Sequence, residues 1–105
     1  MSEAEFQKVV IDLARRNGWL VYHAVPAQVR PGVWRTTYAG DRGFPDLMMV
    51  HPTRGSLFVE LKTDRGKVTP EQLEWINTLR DAHQEAYIWR PSLIDLIAVR
   101  LGGAG

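Results

Sequence analysis

The stretch Ser56-Leu57-Phe58-Val59-Glu60-Leu61-Lys62-Thr63 constrains the fold of this chain most. Leu57, Val59 and Leu61 alternate with Phe58, Glu60 and Lys62. A period of two belongs to a strand whose successive side chains point to opposite faces. One face is wholly apolar and needs covering. The other carries an acid and a base two residues apart. Ahead of it, Pro45 to His51 reads as another strand. Pro45 must lie at its start, because proline cannot donate within a ladder. Pro52-Thr53-Arg54-Gly55 has turn chemistry, so the two strands form an antiparallel hairpin. That hairpin sets Asp46 opposite Glu60 or Lys62.

The elements around the hairpin follow from their boundaries. Thr69-Pro70-Glu71-Gln72 opens a helix, with threonine as cap, proline at N1 and glutamine at N3. Leu73, Ile76, Leu79 and Arg80 carry it to about His83, and Ala86 to Trp89 reads as a short strand. A strand, a helix and a strand in succession make a crossover unit with its two strands parallel. Pro91-Ser92 starts a last amphipathic helix through Leu93, Ile94, Ile97 and Leu101. At the other end, Ser2-x-x-Glu5 is a capping box. Phe6, Val9, Val10, Leu13 and Ala14 recur at helical spacing, Arg15 and Arg16 fill the last turn, and Gly18 follows as C′. Trp19 to Val25 is rich in strand formers.

Pro26 to Gly43 is irregular, with a short hairpin arm at Val33 to Tyr38. The order is helix, three strands, helix, strand, helix, which gives a mixed sheet flanked by helices, an α/β sandwich. At 105 residues the chain is one domain, residues 1–105, with 102–105 as a frayed tail.

Composition narrows the chemistry. Cysteine is absent, which excludes disulfides, a thiol nucleophile and cysteine-held metal. No apolar run approaches a membrane span, and the acidic start Met1-Ser2-Glu3-Ala4-Glu5 is unlike a signal peptide. The expectation is a soluble, cytoplasmic protein with no membrane partner. Net charge is only +1, yet Arg30 to Lys67 is locally basic. Arg30, Arg35, Arg42, Arg65 and Lys67 suit a polyanion, and arginine, the better phosphate fork, outnumbers lysine. Arg30, Arg35 and Arg42 sit in a segment with no helix to aim them into a groove, so phosphates are their expected contacts. The plainer reading of these charges is a solvated surface.

Asp46, Glu60 and Lys62 carry the chemical signal. Two adjoining carboxylates repel and resist ionisation. A divalent cation removes that conflict, and Mg2+ favours one or two carboxylates plus water and phosphate oxygens. Lys62 would hold the attacking water or the phosphate. A lone acid-x-lysine in a strand is more simply a surface ion pair. The Pro45-Asp46 pair on the neighbouring strand tips the balance toward a site.

These residues resemble the PD-(D/E)xK nuclease signature: Pro45-Asp46, then Glu60-Leu61-Lys62. The wider series resembles the VRR-Nuc group of that superfamily, in its stand-alone phage and bacterial form. It includes Ser2-Glu3-Ala4-Glu5-Phe6-Gln7, Gly18-Trp19, Tyr22-His23, Gly40-Asp41-x-Gly43-Phe44-Pro45-Asp46-Leu47, Glu60-Leu61-Lys62-Thr63, Gly66-x-Val68-Thr69-Pro70-Glu71-Gln72 and Trp89-Arg90-Pro91-Ser92. The resemblance implies a restriction-endonuclease-like αβββαβ core. It implies Asp46, Glu60, Glu3 and the Leu61 carbonyl as ligands of Mg2+ or Mn2+, Lys62 as the catalytic lysine, and Gln72 near the site. It further implies cleavage of DNA phosphodiesters, often by homodimers resembling Holliday-junction resolvases, in recombination or DNA repair.

Other readings stand beside this one: a nickase, a flap nuclease, or an idle DNA-binding or assembly module. Glu5 and Gln72 have sufficient work as N3 residues of their caps. Tyr22-His23 reads as a packed strand end, His51 and His83 as turn and helix-end residues, and Asp41 and Asp64 as turn residues. Trp19, Trp75 and Trp89 read as core or interface, Trp34 as a base-stacking or dimer residue, and Gly43 as a point of close backbone approach.

Overall fold

The computed structural model describes residues 1–25, 27–35 and 39–102. Helix α1 spans Glu3–Arg16. Its capping box is complete: the Glu5 N–H donates to Ser2 Oγ at 3.1 Å, and the Ser2 N–H donates to Glu5 Oε1 at 3.1 Å. Its far end turns at Gly18, φ 88°. There the Gly18 N–H donates to the Arg15 carbonyl and the Trp19 N–H to that of Ala14. These two bonds form a Schellman cap, the C′ role expected of Gly18.

Strand β1 is Leu20–His23, shorter at both ends than expected. The Schellman cap uses Trp19, and the chain leaves the sheet after His23. The irregular stretch holds a separate two-stranded hairpin, β2 at Ala27–Arg30 and β3 at Val33–Arg35. It lies further toward the N-terminus than the expected arm, because Pro31-Gly32 forms its turn instead of preceding it. Gly32 has φ 76°, as the second central position of a proline–glycine turn requires. Pro26, Thr36 to Tyr38 and the tail residues Gly103 to Gly105 lie outside the described residues.

Strand β4 is Leu47–His51 and β5 is Gly55–Leu61, followed by α2 at Pro70–Asp81 and β6 at Glu85–Trp89. A 3₁₀ turn at Pro91–Leu93 then leads into α3 at Ile94–Gly102. The expected last helix thus begins as 3₁₀, and Gly102 closes it. The main sheet runs β1-β4-β5-β6. β1, β4 and β5 are antiparallel neighbours, and β6 lies parallel to β5. With the small hairpin set aside, the order is the expected αβββαβ, with α3 added.

The two sheet faces are covered differently. Leu47, Met49, Leu57, Val59, Leu61 and Trp89 join Phe6, Val10, Ile11 and Ala14 of α1 and Ile97 and Leu101 of α3 in one core. Each of the larger aliphatic and Phe side chains here contributes about 1.5–3 kcal/mol on burial. On the opposite face α2 packs against β6, and Trp75 meets Phe44, which in turn meets Phe58.

A lock joins the chain's end to the hairpin. Trp19 Nε1 and Arg54 Nη1 both donate to the Leu101 carbonyl, at 3.0 and 2.9 Å. Arg100 pairs with Glu85 at 2.6 Å and donates to the Arg54 carbonyl. Arg54 is therefore structural, although it stands in the basic segment. Among the described residues no helix is long and apolar enough to cross a membrane.

Candidate active site

The ladder between β4 and β5 ends at Leu47 opposite Val59. One step on, Asp46 stands beside Glu60, the nearer of its two expected partners. A further step would set Pro45 against Leu61, and proline has no N–H to exchange. The Leu61 N–H donates instead to Asp46 Oδ2 at 2.8 Å. The Pro-Asp dipeptide thus has a mechanical role: proline stops the ladder, and the aspartate takes the freed donor. On its other side β5 continues, the Lys62 N–H donating to the Trp89 carbonyl at 3.0 Å.

Glu60 is 1% exposed, the one charged side chain buried among the described residues. Its Oε2 lies 3.3 Å from Lys62 Nζ, and its Oε1 is buried with no partner. Burial pushes its carboxyl up to about 7, the Asp46 charge adds to this, and Lys62 opposes it. Desolvation, more than mutual repulsion, is therefore the main cost of the pair. Lys62 is 13% exposed and caps the corner.

The loop before Asp46 is seated on the start of α2. Gly43 has φ 94°, and a Cβ there would come within 2.5 Å of Glu71 C and 2.7 Å of Gln72 N. Only glycine meets both conditions. Trp75 Nε1 also holds the Asp41 carbonyl at 3.3 Å. Gln72 accepts the Thr69 N–H at 3.0 Å, and its own N–H donates to Thr69 Oγ1 at 3.2 Å, so its Oε1 serves the cap.

Glu3 is exposed in the first turn of α1. No group of three acidic or histidine side chains converges among the described residues, so Glu3 does not gather with Asp46 and Glu60 here. One turn along α1, Gln7 reaches His23, with Nε2 3.5 Å from Nδ1. Both line a cleft of about 890 Å³ that Asp46 also borders. This pair escaped the sequence reading of roles. Its sequence signal is that Gln7 and His23 both stand in the motifs that resemble the VRR-Nuc group, although His23 reads there only as a packed strand end.

Arg30, Arg35, Arg42, Arg65 and Lys67 are all exposed, and none forms an ion pair among the described residues. Arg65 and Lys67 ride on a fixed loop. Arg90 Nη1 donates to the carbonyls of Thr63 and Gly66, both at 2.7 Å, and Asp64 Oδ1 accepts the Ser92 N–H at 2.9 Å.

A mixed four-stranded sheet with helices on both faces is the fold of a nuclease-type domain, the VRR-NUC domain. The VRR-NUC domain family matches residues 20–91, and the chain belongs to that family. Two solved structures agree. A "VRR_NUC domain" shares 24% identity with a TM-score of 0.67, covering 89% of this chain and 94% of that one. A "VRR_NUC domain protein" shares 26% with a TM-score of 0.65, covering 97% and 91%. A search of curated proteins gives no match. Helix α1, with Glu3 and Gln7, lies before the matched span.

The buried acid has a measurable consequence. The folded state holds the Glu60 proton more tightly than the unfolded chain does. Its contribution to stability is therefore full below about pH 4.5 and is lost as pH rises through about 7. In chelator, Glu60→Gln should raise Tm at pH 8, on the order of 5 °C, with the gain shrinking toward pH 5. Thermal melts across pH check this, and a gain that does not vary with pH refutes it.

Proposed function

We propose that this protein is a metal-dependent endonuclease of the PD-(D/E)xK type, hydrolysing DNA phosphodiester bonds. The unpartnered, buried Glu60 Oε1 beside Asp46 carries the reading. Such an atom costs free energy unless something fills its need. Hard carboxylate oxygens at one corner fit Mg2+ or Mn2+. Asp46, Glu60 and the Leu61 carbonyl would hold the ion, and Glu3, which stands apart from them in the free protein, would join only on binding. When bound, the ion supplies an acidified water and charge against the phosphate.

The chain's own groups do the rest. The Leu61 N–H fixes the Asp46 carboxylate by one oxygen and leaves the other free. Lys62, held beside Glu60, meets negative charge as it grows on the phosphate. Gln72 keeps its amide NH2 for the site while its oxygen serves the cap. Arg30, Arg35, Arg42, Arg65 and Lys67 would follow the DNA backbone.

The same proposal includes a preference for branched DNA, in the manner of a Holliday-junction resolvase, because so small a domain offers little surface for reading sequence. It also includes a symmetric dimer, in which Leu96 and Val99, exposed on α3, would be covered. Light scattering at micromolar concentration should give twice the chain mass. A monomer there refutes the dimer alone.

Assays on linear, flapped and four-way DNA, with Mg2+ and with chelator, test the activity. Asp46→Asn should lower the rate by several powers of ten, as expected for loss of a group acting in the transition state. DNA binding in Ca2+ should persist in the variant, since one negative charge facing phosphate has gone. Near-native cutting by the variant, or native cutting in chelator, overturns the assignment.

Salt dependence tests the basic residues. Arg35→Ala should weaken binding to all sequences alike. It should also reduce the slope of log affinity against log salt by about one for each phosphate that the arginine had neutralised. A changed sequence preference at constant slope contradicts a phosphate role.

A further inference from the structure

The cleft beside Asp46 is walled by Tyr22, Phe44 and Trp75. Phe44 stands edge-on to Trp75, with centroids 5.0 Å apart at 84°. Tyr22 is 65% exposed and Phe44 45%, so both rings face water in the free protein. At about 890 Å³ the space suits a small organic group. Among its described lining residues there is no lysine or arginine, while Asp41 and Asp46 are both present. A track for the sugar–phosphate backbone needs cations. Away from the Asp46 corner, where the ion would offset the charge, the described lining of the cleft offers the backbone no cation and one carboxylate, Asp41. Its chemistry fits a flat, uncharged ring.

Two further polar side chains, besides the aspartates, stand among the lining. Gln7 and His23 are joined by a long contact of 3.5 Å, which leaves both with capacity for another partner. An aromatic wall with an amide and an imidazole among its lining can stack a base and bond its edge. In continuous duplex a base is held in its stack, and taking it out costs free energy. An unpaired base is released at least cost.

We infer that the cleft of Tyr22, Phe44 and Trp75 takes an unpaired nucleobase adjoining the phosphate to be cut, so that cleavage falls beside unpaired nucleotides. The inference rests on the nuclease reading above, since the cleft acquires this meaning from Asp46 on its border.

The test compares three DNA duplexes in Mg2+: fully paired, with one bulged thymidine, and with an abasic residue in place of that thymidine. The two bulged duplexes share phosphate and bend. The native protein should cut beside the thymidine bulge about tenfold faster than beside the abasic one. Tyr22→Ala should bring that ratio close to one, and Tyr22→Phe, which keeps the ring, should restore it. Tyr22 is exposed, so a melt of each variant should match the native protein. Equal rates on the two bulges, or an unchanged ratio in Tyr22→Ala, overturn the inference and leave the nuclease reading standing. An unchanged ratio with loss of a dimer would assign this face to a second copy instead. Failure to cut any of the three, or any branched DNA, overturns both.

Discussion

A carboxylate buried inside a four-stranded sheet is the costliest feature of this molecule, and its neighbours are arranged around that cost. Glu60 lies on the central strand β5, with β4 on one side and β6 on the other. Water therefore cannot solvate it from either strand edge. Lys62, two residues on, partly offsets the charge at 3.3 Å. Asp46 comes close because Pro45 ends the ladder one step early, and Leu61 then holds it. Gly43 allows the preceding loop to lie against the backbone of α2, which fixes where Asp46 enters. Each of these residues has its place because Glu60 is where it is.

Much of this was legible in the chain. The alternation at Leu57 to Lys62 fixes which side chains share a face, and a short turn fixes the register to within a residue or two. Together they bring Asp46 to Glu60 without any structure. Capping chemistry was equally local: Ser2 with Glu5 and Thr69 with Gln72 bond as the sequence implies. The helix ends were less complete. Gly18 could be read as C′, but His83 adopts φ 63° in a Schellman cap at the end of α2, and histidine, though enriched there, signals a left-handed residue far more weakly than glycine.

The small hairpin was expected a few residues too late, and the cleft was hidden altogether, for another reason. Pro31-Gly32 signals a turn, yet the two short strands flanking it have little period to read. The cleft joins Gln7, Tyr22, Phe44 and Trp75 from a helix, a strand, a loop and another helix. Residues so far apart in sequence share no spacing that could reveal them. The degree of burial at Glu60 is likewise a tertiary property. The strand pattern placed it on the polar face, and that face is covered by α2 and the Phe44 loop, which the pattern does not show.

Arg90 joins two parts of the fold that would otherwise move separately. One guanidinium holds the carbonyls of Thr63 and Gly66, while Asp64 reaches back to Ser92. The segment after Lys62 is thereby fastened to the exit of β6, and through it to the sheet. A polymer pressing on Arg65 and Lys67 would meet a stiff ledge in place of a swinging loop. The conformational freedom that binding usually removes has already been removed at folding. That ledge runs back through Thr63 and Lys62 into β5, the strand that carries Glu60, so its position is set by the same sheet that sets the acidic corner.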